Sequence, residues 1–175
     1  MVFDYYYRLG RNQQAIYKKS DAIEQVKLSD PKLIWHYIHQ LEDVLSAEDR
    51  KKTEQVTVKI VNGVLSDLRV MPVRMRVLSA RPSNNWGELH GLYEPVDGKT
   101  TARITVWMRT ARHKRVVAFR SYLRTVLHEL CHHLDYEFYR LADSYHTEGF
   151  FKRESSLFRQ LVPTNKHDQK VQETG

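Results

Sequence analysis

The stretch Ser121-Tyr122-Leu123-Arg124-Thr125-Val126-Leu127-His128-Glu129-Leu130-Cys131-His132 decides how this chain is read. Tyr122, Leu123, Val126, Leu127, Leu130 and Leu134 recur three or four residues apart, as on the buried face of a helix. His128 and His132 therefore sit inside a helix, four residues apart on one face with Cβ atoms roughly 5–6 Å apart. Two ring nitrogens so placed can converge on one metal ion, and this is the spacing of a zinc-hydrolase helix. Glu129 falls on the flank of that face, where it can reach an activated water as a general base without being a ligand. Cys131 is the only cysteine and points off the histidine face, so it reads as a packed apolar thiol. One cysteine cannot form an internal disulfide, which suits a reducing compartment.

A catalytic zinc site needs three protein ligands and one open position. A metzincin would continue with Gly three residues and His six residues after His132, but those positions hold Asp135 and Phe138, which excludes that class. Asp135, one turn beyond His132, could hardly close a tetrahedral site with both histidines. It reads equally as an acceptor behind a histidine ring or as a polar residue at a helix end. His133 points about 100° away from His132 and is not expected to be a ligand. The next donors lie in Ser144-Tyr145-His146-Thr147-Glu148-Gly149-Phe150-Phe151-Lys152-Arg153, where His146 and Glu148 are both able to complete a zinc site.

On these residues the chain resembles the SprT-like zinc metalloproteases, the group that includes Spartan. The pattern is a His-Glu-x-x-His helix followed by a His with Phe four residues later, opening another helix. Here it falls on His128, Glu129, His132, His146 and Phe150, and the resemblance covers roughly residues 100–162. The family commonly has Gly directly after the third His; this chain has Thr147 there and Gly149 two residues later. The resemblance implies a zincin-like α+β fold, Zn²⁺ held by His128, His132 and His146, and a protein or peptide substrate. It also implies an association with proteins attached to DNA. In a small gluzincin Glu148 would take the third place, and His146 would become a supporting or substrate-binding residue. In either case Glu129 is expected to take a proton from water and deliver it to the leaving amine. Tyr145, Tyr139 and His133 are the candidates for stabilising the oxyanion. Phe150, Phe151, Leu157, Phe158 and Leu161 read as the apolar face of the following helix.

At 175 residues the chain fits one domain with a core of its own. We read residues 1–175 as a single zincin-like metalloprotease domain: a helical part over about 1–70, strands and metal-site helices over about 71–162, and a polar tail over 163–175. Ser29-Asp30-Pro31 starts a helix carrying Leu33, Ile34, Tyr37, Ile38, Leu41 and Leu45 at helical spacing. A second helix is expected from Ala47 to about Leu68, although Val56-Thr57-Val58-Lys59-Ile60 alone could be a strand. After Pro72 the pattern alternates, with Val73, Met75 and Val77 in one strand and Ile104-Thr105-Val106-Trp107-Met108 in another. Trp86 to Tyr93 reads as a middle strand and Pro95-Val96-Asp97-Gly98 as a turn. The expected architecture is α+β: N-terminal helices, a small, mostly antiparallel sheet, the histidine helix and a C-terminal helix. Thr101 to Arg109 is the candidate edge strand that would hold an extended peptide, with an ordinary core strand as the alternative.

The formal charge of +7 favours acidic partners, and its distribution is uneven. No acidic residue lies between Asp97 and Glu129, while Lys99, Arg103, Arg109, Arg112, Lys114, Arg115, Arg120 and Arg124 do. Arg112-His113-Lys114-Arg115 forms a compact basic loop just before the histidine helix. DNA could dock there, or the run could simply be a solvated face. With one cysteine there is no cysteine-rich zinc ribbon, so any nucleic-acid contact would use the catalytic domain. Tyr5, Tyr6, Tyr7, Arg8 and Arg11 mix rings and cations that could stack on bases, although packing of the N-terminal segment explains them as well. No signal-peptide pattern opens the chain and no run approaches the roughly 20 apolar residues of a membrane span, so a soluble, cytoplasmic protein is expected. Two other classes remain: a zinc amidohydrolase acting on something other than protein, and a nucleic-acid-binding protein with a relict zinc site.

Overall fold

The computed structural model describes residues 2–84, 87–98 and 100–163. A short 3₁₀ turn, Asp4–Arg8, leads into α1 (Arg11–Asp21), α2 (Lys32–Ser46) and α3 (Arg50–Asp67). Among the described residues five strands follow: β1 (Arg74–Ala80), β2 (Ser83–Asn84), β3 (Gly87–Glu88), β4 (Gly91–Glu94) and β5 (Arg103–Arg109). The chain closes with α4 (Phe119–Glu137) and α5 (Glu148–Leu161). The fold class is α+β.

Local chemistry accounts for the helix boundaries. Asp49 caps α3 by accepting a hydrogen bond from Lys52 N, and Thr147 caps α5 by accepting one from Phe150 N. The ambiguous Val56–Ile60 run is helical because Val56, Ile60, Val61, Val64 and Leu65 share one buried face of α3 against α2. On α2 the buried residues are Ile34, Ile38, Leu41 and Leu45. Leu33, counted in the same stripe from sequence, is 70 % exposed, because it falls one position off the face that Ile34 buries. The N-terminal tyrosines pack as an aromatic group: Tyr6 is buried, and its ring stands 5.0 Å from that of Tyr17.

The sheet departs from the expected one in three ways. Its order is β1-β5-β4, with β1 and β5 parallel (Val77 opposite Val106) and β5 and β4 antiparallel (Tyr93 opposite Ile104). It is thus a mixed sheet rather than a mostly antiparallel one; β2 and β3 form a separate small antiparallel ribbon. Second, Arg103–Arg109 is the central strand, not the edge. Residues 104–108 are all buried, so both faces are covered, which is the signature of an interior strand. Third, the middle segment is divided into β3 and β4, with β4 at the sheet edge; Trp86 lies outside the described residues. The same is true of Lys99 and of all the expected tail except Pro163.

The core gathers around β5. α3 packs on β1, α4 crosses β4 and β5, and α5 lies against α4 and α1. Leu123, Val126, Leu127, Leu130 and Leu134 of α4 are all fully buried, so the helix is held along its length. Arg153 of α5, itself without exposure, donates to the carbonyls of Ser20 at 2.7 Å and Ile23 at 2.6 Å and so pins the end of α1. No described helix is long and apolar enough to cross a membrane.

Candidate metal centre

His128 and His132 leave α4 on the side opposite its buried leucines, as their spacing requires. The loop after α4 then turns back and brings His146 between them. His146 Nε2 lies 2.9 Å from His128 Nε2 and 3.0 Å from His132 Nε2, and the three histidines form the metal-capable cluster among the described residues. Phe150, one turn into α5, packs edge-on or tilted against all three rings at centroid distances of 4.7–5.1 Å. Phe151, expected in the core, is 41 % exposed and stacks on the His146 ring at 5.8 Å instead.

The donor set fits a metal ion. Glu154 Oε2 stands 3.2 Å from His128 Nδ1 and accepts its proton, which leaves the His128 Nε2 lone pair facing the cluster. His132 Nδ1 is likewise engaged on its outer side, 2.7 Å from Ser144 Oγ. Ring nitrogens brought to about 3 Å, with the outer nitrogens of two rings occupied, suit a shared cation. Tetrahedral zinc with Zn–N bonds of about 2.0–2.1 Å would set them about 3.3 Å apart. Burial favours the unprotonated form that a ligand requires: it pushes His132 down to about 3 and lowers His146.

Glu148, the alternative third ligand, points elsewhere. It pairs with Lys152 at 3.0 Å on the exposed side of α5, and this pairing lowers its carboxyl pKa. Lys152 also bonds Glu24, on the segment after α1.

Glu129 is the fourth element of the site. It is only 7 % exposed and lies beside β4, where the Tyr93 N–H donates to its carboxylate. Burial raises its pKa to about 7, against the opposing pull of His128 and of that N–H. A carboxyl poised there can both accept and return a proton near neutrality. Its close fit explains Gly91: a Cβ at that position would stand 2.4 Å from Glu129 Oε1.

A cleft of about 620 Å³ opens over these groups, lined by the three histidines, Glu129, β4 and the residues before it from Glu88, and by Tyr136, Arg124 and Glu154. The oxyanion candidates named from sequence are not on its wall. Tyr139 donates to the Gln25 carbonyl, and His133 is buried between the Tyr93 hydroxyl (3.2 Å) and the Met71 carbonyl (2.9 Å). Tyr145 turns toward the ring of Tyr17. Facing a carbonyl, His133 Nε2 must be the donor, so Nδ1 accepts from Tyr93 and the ring ties β4 to α4.

The tyrosines on the wall are instead Tyr93 and Tyr136, whose rings stack at 5.9 Å. Tyr136 also donates to Asp143 at 3.2 Å. Sequence reading had no signal for them beyond Tyr136 lying one turn after His132. Cys131 is fully buried, and burial pushes its thiol well up, as expected of a packing residue.

The basic loop is exposed at Arg112, His113, Lys114 and Arg115 and leaves β5 at the end where Glu88 lines the cleft; Ala111 N donates to Glu88 Oε1 at 3.3 Å. Comparison of the chain with protein-family models, curated proteins and solved structures finds no match.

Proposed function

We propose that the protein is a zinc-dependent metallopeptidase of the SprT-like kind, with His128, His132 and His146 as ligands and Glu129 as the general base. One observation carries this reading: three imidazole nitrogens converge at about 3 Å, while a buried carboxyl with a pKa raised to about 7 lies beside them without joining them. When bound, zinc would supply a polarising charge for the scissile carbonyl and for the attacking water. Glu129 takes the proton from that water and returns it to the departing amine. The outer edge of β4 is the place for an extended peptide to lie, by strand addition, and it runs along the cleft past Glu129. Tyr136, on the cleft wall, is the hydroxyl we assign to the developing oxyanion, which it would meet by giving up its hydrogen bond to Asp143.

The exposed loop Arg112–Arg115 supports DNA as a partner beside the cleft, and proteins attached to DNA as the substrate. Replacing Arg112, Lys114 and Arg115 with Ser should abolish a salt-dependent retention on DNA while leaving zinc content unchanged. Equal retention of both proteins would remove DNA from the proposal.

Metal analysis and proteolysis of an unfolded protein test the core of it. The wild type should hold about one zinc per chain. His146→Ala should lose it, Glu148→Ala should keep it, and Glu129→Gln should keep zinc while cleavage falls about 10²–10⁴-fold. A folded wild type without zinc would refute the metal site. Zinc without cleavage of any unfolded protein would leave an amidohydrolase of other substrates, or a relict site.

A further inference from the structure

A line of polar contacts, half-buried at Ser144 and fully buried at Asp135 and Arg153, runs inward from the cleft at His132. His132 Nδ1 lies 2.7 Å from Ser144 Oγ, and the Ser144 hydroxyl donates to Asp135 Oδ2 at 2.7 Å. The other Asp135 oxygen accepts from Arg153 Nη2 at 2.8 Å, and the Asp135 and Arg153 side chains are both at 0 % exposure. Arg153 goes on to the end of α1, through the Ser20 and Ile23 carbonyls and the Ser20 hydroxyl.

The direction of this line follows from proton counting. Arg153 is permanently charged, and a buried guanidinium without its counter-charge is costly, so Asp135 is held as a carboxylate and can only accept. A serine hydroxyl has one proton, and here Asp135 takes it. Toward His132, Ser144 is therefore an acceptor, and His132 Nδ1 must carry the hydrogen. This leaves Nε2, which faces the other two histidines, with its lone pair. Histidine in water favours the opposite tautomer, with the proton on Nε2, so the surroundings must impose this one.

We infer that Ser144 is a positioning residue that, through Asp135 and Arg153, fixes His132 in the Nδ1–H tautomer and so sets the zinc affinity of the three-histidine site. The inference rests on the metal reading above. It places the control of one ligand in a relay that begins on α1, far along the chain from the histidine helix.

The experiment compares wild type, Ser144→Ala and Ser144→Thr, each checked for folding by circular dichroism. Two measurements are made: zinc affinity by competition with a chromophoric chelator, and the His132 tautomer in metal-free protein from ¹⁵N chemical shifts of its ring. Ser144→Ala should bind zinc about 10–100-fold more weakly, the usual effect of removing a partner behind a ligand. Ser144→Thr, which keeps the hydroxyl, should stay within about threefold of wild type. Metal-free wild type should show His132 protonated at Nδ1, and Ser144→Ala should lose that preference. Unchanged affinity in Ser144→Ala, or an Nε2-protonated His132 in the wild type, overturns the relay. Should the wild type fail to bind zinc, the metal reading falls, and the ring tautomer still decides whether the relay orients His132. Should Ser144→Ala fail to fold, the wild-type tautomer and the zinc affinity of Ser144→Thr decide in its place.

Discussion

Gly91 shows how tightly the site is built at the scale of single residues. The position has no unusual backbone requirement; what it needs is the absence of a side chain, since Glu129 occupies the space where a Cβ would be. Gly91→Ala must push β4 away from α4 or swing Glu129 out of its place. The expected result is a loss of stability of about 1–3 kcal/mol, the range for overpacking, together with a cleavage rate approaching that of Glu129→Gln and zinc content intact. A thermal melt and a rate assay check this, and full activity in Gly91→Ala would mean that Glu129 need not sit where it does.

At the scale of elements, the site depends on how α5 docks. His146 precedes that helix by two residues, so the start of α5 places the third histidine. Thr147 caps the helix through Phe150 N, and Gly149 N donates to Asp21 Oδ1 at 2.9 Å. Gly149 also approaches the backbone of α1 so closely that a Cβ would stand 2.3 Å from the Asp21 carbonyl oxygen. A backbone cannot yield as a side chain can, so Gly149→Ala should shift α5 bodily. We expect a destabilisation toward the upper end of about 1–3 kcal/mol, with zinc affinity falling alongside it because His146 moves. Calorimetry and chelator competition test the pairing of the two losses; a destabilised protein with unchanged zinc affinity would show that the loop sets His146 independently of α5.

For the whole molecule, the buried histidines link stability to pH. His132, His133 and His146 all have pKa values lowered by burial, while in the unfolded chain each titrates near about 6.5. Lowered values mean that the unfolded state binds more protons below about pH 6.5, so the stability these groups contribute is present above that pH and is lost as pH falls. Glu129, raised to about 7, acts with the opposite sign: the native state takes up its proton first, which favours the fold as pH drops below 7. Asp135, also raised by burial, has the sign of Glu129, so three histidines oppose two carboxyls, and metal-free protein should melt at progressively lower temperature between pH 6.5 and 5. In Glu129→Gln one opposing group is gone and the decline should be steeper. Melting temperatures of chelator-treated protein that stay flat over this range would show that the rings are not held neutral in the fold.

The sequence by itself determined the helix of the site and the pairing of its chemistry. Helical spacing of Leu123, Val126, Leu127 and Leu130 settled which way α4 faces, and with it that His128 and His132 share a side and Glu129 flanks them. Such features are local, since a helix fixes the relative positions of residues three and four apart without help from the rest of the chain. It also indicated the strand-rich middle and the α+β class. What only the tertiary structure decided depends on contacts between distant segments. Strand order is one example: β5 is central because β1 and β4, from separate parts of the chain, pair with its two edges, while its own residues show only that both its faces are buried. Which of His146 and Glu148 lies against His128 and His132 is another, because it turns on how the loop after α4 returns and on the Lys152 partner that Glu148 meets instead. The polar line from α1 through Arg153, Asp135 and Ser144 to His132 is the third. Its members lie up to 133 residues apart, and only burial in one packed core gives their hydrogen bonds a single direction.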